Sequence, residues 1–538
     1  MKRISKILLS IVLIFTLSSC TTSSSKRTKD IAILYTGDVH VNFDSAIGYD
    51  GLAAFKNELI ADNVDVILVD TGDAIQGTPI GKLSSGSIPI EVMNELGYDA
   101  MTLGNHEFDY GQEDLKLLSE LATFPFLSVN FVDVVTEQPV YQPYKIVERD
   151  GIKIGFIGIS TPRTITSSTP IYFQNEQGEF IYSFMQDDSG EKLWTTVQNT
   201  VDAVRKEGVD YVVAMAHLGI DESTSPYLST TLIEKTRGID VVLDGHSHSV
   251  VECMRVKNMD GERILLTSTG SGLENIGYLL IDKKGNISTG LIAEVEDKDS
   301  EMTTFVQARK DEFEKILMKP VKAIENDLVI EDSLSGNRII RTTETNLGDL
   351  CADAFKEATG AQIAIQNGGG IRKNLMHGEI TYGDILNVLP YGNQLCVIEA
   401  TGQQILDALE LSVYAIPAEF GGFLQVAGLT FEYDSKVPTP VVRDENNMFL
   451  AIEGERRVKN VKVNGETIDP TKTYTVGGPE YTLLQNGDGY AMFNGNKVIA
   501  SQITMDYDAV VNYFNNQYEA IKDMYMNPSG TERIIKIQ

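Results

Sequence analysis

Five of the six histidines in this 538-residue chain stand directly after short apolar runs that predict buried β-strands. A single buried histidine is usually a satisfied core residue, but five at equivalent strand ends are difficult to explain in that way. If the strands lie side by side in one sheet, we expect the five side chains to meet along its carboxyl edge. The five are His40, His106, His217, His246 and His248.

The first half of the chain alternates apolar runs of strand length with helical patterns at 52–60 and 195–207. Most of these runs have no alternating polar face, so we expect the strands to be buried on both sides. This alternation predicts a layered α/β domain. The strand-like runs are 31–35, 64–69, 152–159, 209–216, 239–243 and 264–267.

The side chains at these strand ends suit two divalent transition-metal ions. Asp38 and His40 project to the same side of an extended chain, because they are two residues apart. Asp73 can bridge two ions with its two carboxylate oxygens, and Asn105 offers a neutral carbonyl oxygen. No cysteine belongs to this group in the sequence, so a structural thiolate zinc site is not expected.

Five short motifs carry these side chains in a fixed order: Asp38-Val39-His40, Gly72-Asp73, Gly104-Asn105-His106-Glu107-Phe108-Asp109, Ala216-His217 and Gly245-His246-Ser247-His248. In this order they resemble the motifs of the calcineurin-like metallophosphoesterases. Tyr98 with the segment 103–109 is similar to the signature of the 5′-nucleotidase family. The resemblance covers residues 31–490. It implies an α/β fold with a four-layer metallophosphoesterase sandwich domain, followed by a smaller α/β nucleotide-binding domain.

The resemblance also implies a role for each side chain. His106 and Asp109 would form the family's catalytic dyad, in which a positioned imidazolium stabilises charge on the phosphoryl oxygens or the leaving group. The cofactors would be two divalent ions, for which we expect zinc, manganese or cobalt. Carried over residue by residue, the ligands are Asp38, His40, Asp73 and His248 for one ion, and Asp73, Asn105, His217 and His246 for the other.

Glycine and aromatic residues characterise the motifs of the second half. The triple glycine at 368–370 follows a strand-like run at 363–365, and its backbone N–H groups can approach a ligand. Arg372 follows directly and can fork onto a phosphate or a carboxylate. Taken alone, this motif has an alternative interpretation as a tight turn with a surface arginine.

These segments resemble the family's C-terminal nucleotide-binding domain. The resemblance implies that Tyr391 and Tyr481 enclose the base and that Asp488 binds the ribose. Two aromatic rings on loops suit base stacking, and a neighbouring carboxylate suits sugar hydroxyls. The remaining contacts would be made to the phosphate by Arg341 and Arg372 and to the base by Asn393.

The first twenty residues have the pattern of an export signal. Basic residues precede an apolar run at 7–17, which is too short to span a bilayer well. The break Leu17-Ser18-Ser19-Cys20 resembles a bacterial lipobox, in which the Cys20 thiol receives lipid. The alternative is an ordinary secretion signal with an incidental cysteine. We therefore expect a lipoprotein signal peptide at 1–20, a flexible tether at 21–29, and a protein anchored to a membrane of the cell envelope on its extracytoplasmic face.

A long amphipathic pattern at 298–319 predicts one helix, which Pro320 stops. We expect residues 298–320 to link a metallophosphoesterase domain at 30–297 to a nucleotide-binding domain at 321–538. The apolar members of this helix are Phe305, Phe313, Ile316 and Leu317.

Composition limits the partners. The formal net charge of −31 disfavours nucleic-acid polymers, because phosphate backbones need a basic face. Four cysteines exclude a disulfide-dense scaffold. We expect the three cysteines after Cys20 to be buried small apolar residues; they are Cys253, Cys351 and Cys396.

Motifs and resemblance together favour an exported, metal-dependent phosphohydrolase that releases phosphate from nucleoside 5′-phosphates. Its expected partners are nucleotides, together with a membrane that it contacts through the lipid anchor only. A 2′,3′-cyclic-nucleotide phosphodiesterase or a nucleotide-sugar pyrophosphatase on the same scaffold is the alternative among enzymes. A nucleoside-binding lipoprotein without turnover is the alternative from another class, although a complete metal cluster does not fit it. The sequence predicts no oligomeric state.

Overall fold

The computed structural model describes residues 28–175, 177–332 and 334–537. The predicted signal peptide, Cys20 and tether residues 21–27 lie outside these ranges. The last two tether residues contact the folded part: Thr28 N donates to Asp150 Oδ2 at 2.6 Å, and Lys29 Nζ lies 2.7 Å from Asp65 Oδ1. Among the described helices, none has the length and apolar character needed to cross a bilayer.

The N-terminal half, residues 28–297, contains two six-stranded sheets with helices packed on them. The strands are β1 Ile31–Thr36, β2 Asp65–Asp70, β3 Ala100–Thr102, β4 Phe126–Leu127, β5 Val132–Asp133, β6 Tyr144–Arg149, β7 Ile152–Ser160, β8 Tyr182–Ser183, β9 Tyr211–His217, β10 Val241–Asp244, β11 Val250–Lys257, β12 Arg263–Thr269, β13 Ile276–Ile281 and β14 Ile287–Ile292. The helices are α1 Gly48–Ala61, α2 Pro79–Leu83, α3 Ser87–Leu96, α4 Gly111–Leu121, α5 Thr164–Ser167, α6 Glu191–Lys206 and α7 Ser229–Lys235.

The two sheets have related topologies. The first has the order β14-β13-β1-β2-β3-β4 and the second has the order β11-β12-β10-β9-β7-β6. In the first sheet, β1 to β4 pair in parallel, and β13 pairs antiparallel with both β1 and β14. In the second sheet, parallel pairing lies at the centre, and the β11–β12 and β6–β7 pairs are antiparallel. Parallel strands are buried on both faces, which explains the near-continuous apolar runs in the sequence.

The apolar runs divide between these two sheets rather than lying side by side in one, which agrees with the sandwich domain that the family resemblance implies. Ile33 and Val69 of the first sheet share a buried cluster with Val213 and Leu243 of the second. A strand covered by a helix on one face and by a second sheet on the other has the same apolar pattern as a strand between two helix layers. The pattern therefore predicts burial but not which sheet a strand joins.

The predicted connecting helix is present as α8 Ser300–Leu317. The side chain of Asp299 caps it by accepting from Glu301 N and Met302 N. Its side chains Phe305, Phe313 and Leu317 pack against the core of the N-terminal half, while Ile316 is exposed. The helix also contacts α10 of the C-terminal half, which spans Tyr382–Val388, so it touches both halves.

The C-terminal half, residues 321–537, contains a five-stranded sheet of order β19-β16-β25-β18-β26 and a four-stranded sheet of order β24-β23-β20-β27. The α/β fold class is thus confirmed in both halves. The strands, beginning within the connector, are β15 Pro320–Ile324, β16 Ile363–Asn367, β17 Gly378–Thr381, β18 Leu395–Thr401, β19 Leu424–Ala427, β20 Leu429–Tyr433, β21 Val441–Arg443, β22 Phe449–Ile452, β23 Val458–Val463, β24 Glu466–Thr467, β25 Thr473–Pro479, β26 Val498–Ala500 and β27 Ile534–Lys536. The helices are α9 Asn346–Thr359, α10 Tyr382–Val388, α11 Gly402–Ser412, α12 Glu480–Leu483 and α13 Asp506–Ile521.

The three cysteines differ in their surroundings. Cys351 and Cys396 are fully buried, as expected, and all three thiols are free. The expectation for Cys253 is wrong, because it is exposed on β11. This strand lies at the edge of its sheet, where one row of side chains faces solvent.

Candidate active site between the two halves

Strand ends from both sheets of the N-terminal half meet and form two groups of metal-ligand side chains. Within each group, one potential ligand atom from every residue lies within 4.8 Å of the others. The loops after β1 and β2 belong to the first sheet, and the loops after β9 and β10 belong to the second. The site therefore lies where the two sheets meet. The groups are Asp38, His40 and His248, and Asp73, His217 and His246.

The tautomers of two histidines leave their ligand atoms pointing into the site. His40 Nδ1 donates to Gln76 O at 2.9 Å, and His217 Nδ1 donates to Thr71 O at 2.8 Å, because a carbonyl can only accept. In its neutral form each ring then presents an Nε2 lone pair. His40 Nε2 lies 3.1 Å from His248 Nε2, and His217 Nε2 lies 3.1 Å from Asp73 Oδ2. Electron-rich atoms at such distances fit bound cations.

Asn105 gives a further sign that the residues fit metal ions. Its Oδ1 is buried and has no hydrogen-bond partner within the described ranges. Burying a polar atom without a partner costs about 1–3 kcal/mol, so an ion beside this oxygen would satisfy it. The next residue, His106, donates its backbone N–H to Asp73 Oδ1 at 2.8 Å, which ties this loop to the shared carboxylate.

Burial keeps several of these imidazoles neutral, which is the form that binds metal. It lowers the pKa of His40 and of His246 to about 3 and that of His248 to about 2. His217 behaves differently, because the charge of Asp73 outweighs burial and raises its pKa to about 10. Asp73 in turn is also buried, but the positive charges of His217 and His106 hold its pKa well below its usual range.

Glu107 organises the loops around Asp73, a role that was not predicted from the sequence. The side chain is fully buried. Its carboxylate accepts from Asp73 N and Ala74 N at 2.8 Å each and from Gly104 N at 2.7 Å. It therefore joins the loop after β2 to the loop after β3. Its place inside the 104–109 motif was the signal that could have identified it.

His106 and Asp109 form a hydrogen-bonded pair beside the two metal-ligand groups. His106 Nδ1 and Asp109 Oδ2 are 2.6 Å apart, and Ser168 Oγ donates to Asp109 Oδ1 at 3.2 Å. Burial opposes the charged imidazolium, but Tyr391, Asp109 and Asp73 outweigh it and raise the pKa of His106 well above its usual range. The pair thus favours the positively charged form of His106. Asp109 binds Nδ1 of this ring and leaves Nε2 unused.

Two arginines of the C-terminal half face this site. Burial is the main cause of the low pKa values of His40 and His248, and the positive charge of Arg372 lowers both further. Arg372 therefore lies near the first metal-ligand group. Burial, with help from Arg338 and Arg372, lowers the pKa of Arg341 to about 9. Arg341 Nε is buried and has no hydrogen-bond partner in the described part of the chain. These guanidinium groups are suited to an anion.

The two predicted base-stacking tyrosines lie in the same cleft. The ring of Tyr391 lies against His106, with ring centroids 5.8 Å apart and planes inclined by 33°. The hydroxyl of Tyr481 donates to Thr166 O of the N-terminal half at 3.1 Å. Burial raises the pKa of the Tyr481 hydroxyl. Asp488, Tyr391 and Asp109 raise this pKa further, because they lie near the same hydroxyl.

Asp488 and Asn393 are both engaged with their own half. Asp488 Oδ2 accepts from Asn367 Nδ2 at 2.9 Å, and burial raises the Asp488 pKa to about 6. Asn393 Nδ2 donates to Asp506 Oδ2 at 3.2 Å. Each side chain keeps one oxygen that these contacts do not use.

The expectation that the N–H groups of the triple glycine approach a ligand is wrong for two of the three, because these two are bonded to backbone carbonyls. Gly368 N donates to Phe423 O and Gly369 N donates to Gly421 O, both at 2.7 Å. The glycines instead allow two backbone segments to approach closely, since a Cβ at Gly369 would stand 3.0 Å from Gly421 Cα. The loop that carries Asp488 packs on the same segment.

Comparisons with known proteins agree with this division into halves. Residues 31–250 match the family of calcineurin-like phosphoesterases, and residues 328–495 match the 5′-nucleotidase C-terminal domain. The chain is 32% identical over 517 residues to the trifunctional nucleotide phosphoesterase protein YfkN of Bacillus subtilis (strain 168). This match covers 86% of the chain but 32% of that protein, so the chain spans about a third of the relative's length.

Two further matches cover nearly full-length proteins. The chain is 27% identical over 540 residues to the 5′-nucleotidase of Vibrio vulnificus (strain CMCP6), covering 91% of the chain and 92% of that protein. The crystal structure of the 5′-nucleotidase precursor from Thermus thermophilus superposes with a TM-score of 0.77 at 26% identity. It covers 95% of this chain and 99% of that chain.

Proposed function

Since the chain belongs to the calcineurin-like phosphoesterases, a family of hydrolases, and carries a 5′-nucleotidase C-terminal domain, we propose that it releases phosphate from nucleoside 5′-monophosphates. The observation that carries the proposal is the contact between His106 of one half and Tyr391 of the other. It puts a charged imidazole and two metal-ligand groups beside an aromatic ring and two arginines. A nucleotide combines a phosphate with an aromatic base and therefore matches both sides.

The residues fit two divalent metal ions. Two ions bound there would supply positive charge that stabilises the phosphoryl oxygens and the attacking and leaving groups. Zinc, manganese or cobalt would suit ligands made of imidazole nitrogens and carboxylate oxygens. The residues that would hold the ions are Asp38, His40, Asp73 and His248 on one side, and Asp73, Asn105, His217 and His246 on the other.

The chain's own groups would divide the remaining work. His106, held by Asp109, would stabilise negative charge on the phosphoryl group or give a proton from Nε2 to the leaving oxygen. Arg372 and Arg341 would orient the phosphate. Tyr391 and Tyr481 would exclude water and bind the base, and the free oxygen of Asp488 would accept from a ribose hydroxyl.

We also propose that the protein is exported and lipid-anchored through Cys20, which lies outside the described residues. The apolar run, the Leu17-Ser18-Ser19-Cys20 segment and the Ser/Thr-rich stretch after it support this. Fractionation of cells that produce the full chain tests it. The protein without a substitution should sediment with membranes, and Cys20→Ala should release an active protein. If the protein without a substitution is wholly soluble, the lipid anchor is contradicted.

The full-length purified chain, loaded with each of the three candidate metals, should release phosphate from AMP and UMP, and a chelator should abolish this. The panel should include 2′,3′-cyclic AMP and UDP-glucose, because YfkN is named a trifunctional nucleotide phosphoesterase. Faster cleavage of either would transfer the proposal to that substrate. Nucleoside binding without cleavage of any of these substrates would favour the non-catalytic lipoprotein.

A further inference from the structure

Two further arginines, outside the residues discussed so far, belong to segments that meet where the two halves join. Arg163 belongs to the N-terminal half and stands between β7 and α5. Arg443 belongs to the C-terminal half and ends β21. Neither guanidinium forms an ion pair within the part of the chain that the structure describes. Two unpaired guanidinium groups are unexpected in a protein whose net charge is −31.

Arg163 lies at the same sheet edge as the candidate metal ligands. Ser160, the last residue of β7, pairs with His217 on β9, so the following loop begins beside the site. Arg163 Nη2 donates to Ser225 O at 3.2 Å, but Arg163 Nε is buried and has no hydrogen-bond partner among the described residues. A buried N–H of a cation without an acceptor is costly, which favours an anion next to it.

Arg443 ends a strand whose following turn contacts the N-terminal half. Its Cζ lies 4.4 Å from the ring centroid of Tyr414, which supports the flat face of the guanidinium and leaves its edge for hydrogen bonds. The turn between β21 and β22 rests on the N-terminal half, because Gln186 Nε2 donates to Asn446 Oδ1 at 2.6 Å. Met448 of the same turn is buried in the N-terminal core.

Hydrogen bonds link the segments that carry the two arginines, because Asp187 O, next to Gln186, accepts from the hydroxyl of Tyr227, two residues after the Ser225 carbonyl that accepts from Arg163. Burial lowers the pKa of Arg163, and Arg443 acts in the same direction, while Tyr414 opposes them. Arg163 thus lies within electrostatic reach of Arg443, and its loop begins beside the metal-ligand group.

The pair adjoins the proposed ribose position. Helix α5, directly after Arg163, contacts the Gly487–Gly489 segment that carries Asp488, and Thr166 O of this helix accepts from the Tyr481 hydroxyl. We propose that Arg163 and Arg443 bind a second phosphoryl group of the substrate, beyond the one that is hydrolysed. This rests on the proposed function, and it makes nucleotides with two phosphoryl groups the preferred substrate class.

Steady-state kinetics on the full chain tests the pair with three substrates. AMP has one phosphoryl group, adenosine 3′,5′-bisphosphate has a second on the ribose, and ADP has a second in the chain of phosphates. For each of the two other substrates we take the ratio of its kcat/KM to that of AMP. In Arg163→Gln and in Arg443→Gln, at least one of these ratios should fall about 10-fold, since a charge-assisted contact is lost. Arg263→Gln removes an exposed charge at the start of β12 and should change no ratio.

The substrate that responds identifies where the second group lies. Arg163→Lys and Arg443→Lys, which keep the charge, should restore part of the ratio and so separate binding from folding. Equal losses on all three substrates, without recovery in the lysine variants, would overturn the inference while leaving the proposed function intact. If the unmodified protein does not hydrolyse AMP, the proposed function fails instead. Calorimetric titration with the bisphosphate then decides the inference, which requires weaker binding to both glutamine variants.

Discussion

The metal side and the nucleotide side of the cleft are held in place in different ways. On the metal side, backbone groups fix the reactive side chains: Glu107 accepts three N–H groups, and carbonyls orient His40 and His217. On the nucleotide side, Arg341 Nε has no hydrogen-bond partner within the described ranges, and Tyr391 contacts the catalytic side through its ring. The chemistry is therefore preorganised by the fold, whereas recognition groups keep bonding capacity for a ligand.

The largest effect is expected at the shared carboxylate. Asp73→Ala should abolish measurable phosphate release and remove at least one metal ion, because adjacent ions repel without a bridging carboxylate. Metal analysis of the purified variant beside an activity assay checks this. Two retained ions per chain would show that Asp73 is not the bridge.

His106→Ala should separate charge stabilisation from metal binding. We expect a loss of about 10²–10⁴ in kcat with both metals retained, since His106 is hydrogen-bonded to Asp109 and belongs to neither metal-ligand group. Elemental analysis and kcat for AMP are the measurements. A metal site emptied by this change would make His106 a ligand and the assigned role wrong.

Glu107→Gln tests whether preorganisation of the metal side depends on a residue that need not touch metal or substrate. The amide would present an NH₂ group to backbone N–H donors and leave at least one of them unsatisfied. Metal affinity, measured by competition with a chelator, should fall about 10–100-fold. Glu262→Gln on the exposed surface is the matched control, and equal metal affinity in both variants would remove Glu107 from the account.

Asp488→Asn should have the smallest effect of the four and should act only on recognition. Its free oxygen would still accept a hydrogen bond, but without the charge, so KM for AMP should rise by about 10-fold at most. AMP and 2′,3′-dideoxy-AMP distinguish the sugar contact, because only the first has ribose hydroxyls. The same change in KM for both substrates would exclude a ribose contact.

The sequence predicted the metal side better than the nucleotide side for a physical reason. Motifs at strand ends carry their own geometry, because parallel strands in register bring their carboxyl ends together. The sheet that each strand joins is set by packing between distant segments, so the apolar pattern alone did not divide the strands between the two sheets. The triple glycine was misread because close approach to a ligand and close approach to Gly421 place the same demand on the backbone.

Contacts across the cleft could not be predicted from local patterns. Arg163 and Arg443 stand far apart in sequence, and neither lies in a motif that the sequence analysis identified. Tyr481 was selected as an aromatic residue on a loop, but its hydrogen bond to Thr166 O depends on how the two halves pack. Such contacts depend on tertiary structure alone, which explains why recognition residues were harder to identify than metal ligands.

The ratio of kcat/KM for AMP to kcat/KM for p-nitrophenyl phosphate tests the division of labour most directly. Tyr391→Ala removes a stacking face worth about 1–3 kcal/mol, so this ratio should fall roughly 5- to 150-fold, while the aryl phosphate loses far less. His106→Ala should lower both kcat/KM values; their ratio should stay nearly constant if His106 stabilises the phosphoryl oxygens, and should fall if it protonates the leaving oxygen, because p-nitrophenolate leaves without a proton. An unchanged ratio in Tyr391→Ala would contradict the account, because Tyr391 would then support His106 rather than bind the base.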